Sequence, residues 1–233
     1  MRNNLWSLIL ILIVGCSQTE QQNNSESQTV NSKINCEKSA SFGDISFCLP
    51  TIDGMTECYS KPAVNAIANK ENIGENTFLA YYLNNATFKQ VDSLDKIAYD
   101  DYFIIFGRSS VKGLKADQTI LDQKANSLSS GYVKENWNDI NDKLKINSNF
   151  MTVGRPILME SYSPNMNVRS FVMLLKRIIN GNEQVRLMTV NIVQIKQRLV
   201  CLNYYKNYNG EESIKSAKTK NDNIALQFVE VNK

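Results

Sequence analysis

The last third of the chain constrains the fold most. Four runs rich in β-branched and long apolar residues, 157–163, 171–179, 184–195 and 199–208, follow one another with short breaks. Asn180-Gly181 is the favoured dipeptide of a two-residue hairpin turn, and Lys196-Gln197-Arg198 makes the next turn. Strands joined this closely pair antiparallel, because a parallel return needs a crossover of about a dozen residues or more. The frame is therefore an antiparallel meander, and the other segments must fit against it.

Earlier segments supply more strands. Residues 44–50 alternate apolar with small or polar positions, and 55–59 can return antiparallel across the turn Pro50-Thr51-Ile52-Asp53-Gly54. Residues 77–83 read as a strand ended by Asn84-Asn85. The continuous apolarity of 102–106 predicts a strand buried on both faces or in a central place.

The period then changes. Leu121, Ala125, Leu128 and Tyr132 step by helical spacing, as do Val133, Trp137, Ile140 and Leu144, with Asp117 as an amino-terminal cap and Gly131 able to divide the two stripes. After Asn209-Gly210, Glu211 and Glu212 suit the positive end of a closing helix. Its inward face holds Ile214, Ala217, Ile224 and Phe228, and residues 221–223 can interrupt it.

These elements predict an α+β fold: an antiparallel sheet of about six or more strands with a mid-chain helix and a C-terminal helix. The order resembles the PsbP/Mog1-like fold over about residues 41–232. Phe47-Cys48-Leu49-Pro50 followed by Gly54 is similar to that family's opening strand, and 199–208 before the last helix to its ending. Met55 stands where an aromatic is common. The resemblance implies a fold and carries no catalytic residues with it.

The amino-terminal end carries an address. Arg2 precedes the apolar run 5–14, which at about ten residues is too short for a bilayer span of about 20 and fits a signal-peptide core. Ile13-Val14-Gly15-Cys16 resembles the lipobox of bacterial lipoproteins. That resemblance implies cleavage before Cys16, acylation of its sulfur and of the new amino terminus, and anchorage in a lipid bilayer. Ser17, where an aspartate argues for inner-membrane retention, favours the outer membrane of the cell envelope. Residues 1–15 are then a signal peptide. Residues 16–33 form a lipidated flexible tether, too poor in apolar groups to offset chain entropy, and 34–233 form a single domain.

Composition narrows the chemistry. The chain has no histidine, which removes Ser-His-Asp and Cys-His arrangements and any mixed Cys/His zinc site. There is no G-x-S-x-G, P-loop or dinucleotide fingerprint. Ser109-Ser110-Val111-Lys112 spells S-x-x-K without its companion motifs. Asp100-Asp101, and Asp92 with Asp95, do not match a calcium loop. No catalytic residue, metal or cofactor is expected.

Cys36, Cys48, Cys58 and Cys201 point to one or two disulfides of open connectivity, or to some buried free thiols. In the simplest hairpin register Cys58 opposes Ser46 rather than Cys48. Tyr204, Lys206 and Tyr208 share one strand face, with Tyr205 on the other, and offer a possible binding surface. Residues 169–233 carry 11 basic and 5 acidic side chains, a basic face that can lean on lipid headgroups or an acidic partner. Nucleic acid is not an expected partner outside the cytoplasm. The functional expectation is a non-catalytic envelope lipoprotein that binds another protein or aids an assembly. The alternative is a small-ligand or glycan-binding envelope domain.

Overall fold

The computed structural model describes residues 36–70, 72, 76–93, 100–131, 151–179 and 181–233. The lipobox with Cys16, the tether, Asp95, Tyr132, the stripe Val133–Trp137–Ile140–Leu144 and Asn180 lie outside the described residues. The chain runs β1 (Ser39–Phe42), β2 (Ile45–Cys48), β3 (Met55–Glu57), α1 (Pro62–Lys70), β4 (Asn76–Asn84), α2 (Asn85–Phe88), β5 (Asp101–Arg108) and α3 (Gln118–Ser129). It continues through β6 (Met151–Val153), β7 (Ile157–Asn165), β8 (Val168–Ile179), β9 (Asn182–Ile195), β10 (Arg198–Asn207) and α4 (Glu211–Glu230).

The meander forms as the turn chemistry dictates. β8 and β9 meet at Ile179↔Asn182, with Gly181 at φ +79°, and β9 and β10 meet at Ile195↔Arg198. The second turn places Lys196 and Gln197 at φ 47° and 57°, a left-handed conformation that costs a residue with a Cβ. The main sheet is antiparallel in the order β3-β4-β5-β10-β9-β8-β6, and β7 also pairs with β8. β5 lies between β4 and β10, the central place that is one of the two readings of its apolarity, while burial alternates along it rather than covering both faces equally.

Alternation along the strands gives the sheet two apolar faces. Leu187 and Val193 of β9 join Val200, Leu202 and Tyr204 of β10 beneath Ala217, Ile224 and Phe228 of α4. Met188 and Ile192 point the other way, to Leu121 and Ala125 of α3. Asp117 caps α3 by accepting from the Ile120 N–H at 2.9 Å. α1 covers the remaining part of that second face through Val64 and Ala68, against Tyr81 and Leu83 of β4.

Two sequence expectations are corrected. Residues 55–59 do not return against 44–50. β2 pairs instead with β1, Phe42↔Ile45 across the two-residue turn Gly43-Asp44, while β3 pairs with β4. Gly43 takes φ +69° there, and its position leaves no room for a Cβ, which would meet the Lys112 carbonyl oxygen at 2.8 Å. Residues 221–223 do not break α4, because Asn221 is buried with its polar atoms matched. Its Oδ1 accepts from Thr189 Oγ1 at 2.6 Å and Asn191 Nδ2 at 2.7 Å, and its Nδ2 donates to Asn191 Oδ1 at 3.0 Å.

Candidate functional site

The tyrosine and lysine surface expected on the last strand is largely closed, Tyr204 being buried and Lys206 and Tyr208 half-buried. Tyr204 is 1% exposed in the core beneath α4, Tyr208 packs against the same core, and Lys206 Nζ donates to Ser216 Oγ at 2.9 Å. The reason is the register: even-numbered residues of β10 face the side on which the chain folds its last helix. Tyr205, on the opposite side, stacks on Tyr102 with ring centroids 4.6 Å apart, and Tyr102 stacks on Tyr81 at 5.5 Å. Burial of Tyr204 therefore leaves Tyr208 and Lys206, both half-buried, without the second open ring of a tyrosine platform.

The other candidates resolve individually. Cys36 and Cys48 form a disulfide, with Cα atoms 5.4 Å apart. Cys58 is a buried free thiol, pushed up to about 12 by burial, whose Sγ lies 3.3 Å from the Tyr81 carbonyl oxygen. Half-buried Cys201 is also free, and burial pushes its thiol up to about 11. Both thiols stay protonated at neutral pH and are weak nucleophiles.

The carboxylates have basic partners. Asp92 pairs with Lys61 at 2.6 Å, Asp100 with Arg186 at 3.3 Å, and Asp101 with Lys220 at 3.8 Å. Ser109 begins a short 3-10 turn. Its hydroxyl lies 3.0 Å from that of Thr77, and the Lys112 backbone N–H, not its amine, bonds the Ser109 carbonyl at 3.2 Å.

What the sequence did not reveal is a groove of about 470 Å³ between the β1–β2 hairpin and the outer side of β4. Lys38, Ser39 and Ser41 line it from the hairpin, Glu57 and Tyr59 from the end of β3 and the turn after it, and Phe78 from β4. β3 ends at Glu57, so the chain turns away and leaves the first half of β4 without a strand on that side among the described residues. Glu57 shapes this turn by accepting from the Tyr59 N–H at 2.8 Å, and Lys38 Nζ reaches its carboxylate at 3.3 Å. The rings of Tyr59 and Phe78 lie 5.9 Å apart, and Phe78 continues to Phe106 at 6.1 Å. The site combines an aromatic side, two serines and one internally matched ion pair.

The hairpin that walls this groove is held at every point. At its tip Arg198 Nη2 donates to Asp44 Oδ1 at 2.5 Å. In its middle the Phe42 ring lies over Gly107, where an added Cβ would come within 2.3 Å of the ring, and Phe47 stacks on Phe228 at 6.0 Å. At its base stands the disulfide. The outer side of β2 is closed by side chains: Asn232 Oδ1 accepts from the Cys48 N–H at 2.8 Å, its Nδ2 donates to the Cys48 carbonyl at 2.9 Å, and Lys196 Nζ donates to the Ser46 carbonyl at 2.9 Å. The outer side of β1, facing the groove, has no such closure among the described residues. The signal that could have revealed this hairpin was Gly43-Asp44 between two short apolar-alternating runs, a recognised turn dipeptide.

Fold and groove together define the class: an α+β domain with one main antiparallel sheet, a mid-chain and a C-terminal helix, and a satellite hairpin flanking an open groove. Among solved structures, the chain is similar to the Saccharomyces cerevisiae Ran-binding protein Mog1p, at 8% identity over 80% of this chain and 86% of that one, with a TM-score of 0.35. It is also similar to a mutant of protein Mog1, at 8% identity over 83% and 90%, with a TM-score of 0.34. No family model matches the chain, and no curated protein matches it.

Proposed function

We propose that the chain is a lipid-anchored protein of the bacterial envelope, outer membrane rather than inner, whose folded domain binds another protein without catalysing a reaction. The binding reading is carried by one observation: a rigidly held groove beside a strand edge that is open among the described residues, opposite an edge that the fold closes with Asn232 and Lys196. The anchor is supported by the apolar run and by Ile13-Val14-Gly15-Cys16. Non-catalysis is supported by the absence of histidine and by two free thiols that burial keeps protonated. A glycan platform on Tyr204 and Tyr208 is disfavoured because Tyr204 is buried in the core and Tyr208 is half-buried against it.

The test is a photo-crosslinking amino acid placed at position 41, in the groove, and at exposed position 212, on α4, in the full chain within intact cells. One discrete protein adduct from position 41, absent from position 212, is expected. Identical adducts from both sites, or none from position 41, would remove the groove as the contact. For the anchor, Cys16→Ser is expected to move the protein from the membrane to the soluble fraction, and unchanged detergent partitioning would sink the lipobox reading.

A further inference from the structure

We infer that the groove accepts its partner as an extended peptide segment, hydrogen-bonded as an added strand along the outer edge of β1. This deepens the binding reading above and rests on it. In an antiparallel pair, successive residues direct their N–H and C=O alternately toward the partner strand and away from it. The Leu49 N–H donates to the Lys38 carbonyl at 2.9 Å, so Lys38 faces β2, and by the two-residue period Ala40 and Phe42 do too. Ser39 and Ser41 then face away. The opposite strand gives the same answer independently. Their cross-strand neighbours Cys48 and Ser46 turn away from β1, to Asn232 and Lys196. The non-bonded pairs of the ladder are thus Ser39↔Cys48 and Ser41↔Ser46, and the two serines present their backbone groups to the groove they line.

Two N–H donors and two C=O acceptors repeating about 6.8 Å apart match one edge of an incoming strand. The hairpin carrying them is pinned by Asp44–Arg198, by Phe42 over Gly107, by Phe47 on Phe228 and by the disulfide, so little ordering is left for binding to accomplish. The groove's one ion pair, Lys38–Glu57, is matched internally and asks no net charge of the occupant. The fitting partner is therefore an uncharged, extended segment of about four residues, the length of β1. Its alternate side chains would rest on Tyr59 and Phe78.

The experiment selects binders from a phage-displayed library of random linear dodecapeptides against the full chain in lipid nanodiscs. The best peptide is resynthesised with an N-methyl group at each position in turn. Strand addition predicts that the peptide slows hydrogen exchange at the Ser39 and Ser41 amides by about tenfold or more, one lost hydrogen bond being worth roughly that factor. N-methylation should weaken binding about tenfold at every second position and leave the others within about threefold. Ser41→Pro, which removes an N–H that β2 does not use, should abolish binding, whereas Ser41→Ala should retain it.

Should Ser41→Pro fail to fold, the exchange and N-methyl measurements on the unaltered chain decide alone. A peptide that binds in the groove while Ser39 and Ser41 exchange freely overturns strand addition and leaves the binding reading standing. A selection yielding no binder also overturns it, because an open backbone edge accepts many sequences. The position-41 crosslink tests the binding reading separately.

Discussion

Two buried asparagines perform work usually done by peptide groups. Asn232, 1% exposed, offers Cys48 one acceptor and one donor, as a neighbouring strand would. Asn232→Ala leaves both Cys48 groups without that partner and should lower unfolding free energy in urea by about 1–3 kcal/mol. An unchanged denaturation midpoint would show the contact to be incidental. Asn221 similarly joins α4 to β9, and Asn221→Leu should cost about 2 kcal/mol or more by stranding Thr189 and Asn191.

The free thiols set an alkaline limit. Cys58 and Cys201 hold their protons up to about 12 and about 11, against an ordinary 9.0 once unfolded. The folded state therefore binds more protons above pH 9, so this stability is intact below that pH and is lost as pH rises toward 11. Urea midpoints should fall across this window, and fall less steeply in the Cys58→Ala/Cys201→Ala variant. Equal slopes would assign the loss to other groups. Free thiols were among the sequence expectations, whereas the roles of the two asparagines were not visible in sequence. Asn221 read as a helix interruption because its partners lie about thirty residues away, on a strand whose facing is set only when the sheet is assembled.

At the scale of elements, the tight turns show which local signals suffice. Glycine with positive φ, an N-cap aspartate and two glutamates at a helix start each act through neighbours in sequence, and these located the meander, α3 and α4. The turn at Lys196-Gln197 departs from the rule, since both residues take left-handed φ without glycine. Gln197→Gly should therefore stabilise the fold by about 0.5–1 kcal/mol in thermal or chemical denaturation. A loss of stability would mean that the Gln197 side chain contributes more than its backbone strain costs. The Gln197 carbonyl, which accepts from the Ala116 N–H at 2.9 Å, is unaffected by the change. The early hairpin was misassigned for the converse reason. Two turns, Gly43-Asp44 and 50–54, flank 45–48, and both neighbouring runs can pair with it. Phe42 decides the matter by occupying the space over Gly107, a contact with a strand more than sixty residues downstream.

For the whole molecule, the pairing of β5 with β10 and the placing of the hairpin beside β4 join segments far apart in sequence, and local periodicity carries no record of them. The α+β class was legible, whereas the groove was not, because it exists only where β3 stops short and the hairpin is held alongside. The Cys36–Cys48 bridge closes a separation of 12 residues, and its reduction should cost about 2–4 kcal/mol in a denaturant titration. The meander should survive that reduction, with exchange rising first in β1 and β2; loss of β8–β10 protection at the same midpoint would show instead that the hairpin and the meander unfold as one.

The Asn232 contact has a further consequence, in the order of events during synthesis. The hairpin among the first described residues to be made is completed by a residue 184 positions later. Until that residue emerges, Lys196 alone reaches the outer edge of β2, at the Ser46 carbonyl, so a nascent or truncated chain keeps the Cys48 N–H and carbonyl open on the flank that Asn232 later closes. A chain cut short before residue 232 is therefore expected to aggregate or be degraded faster than one that carries Asn232, as a pulse-chase would show.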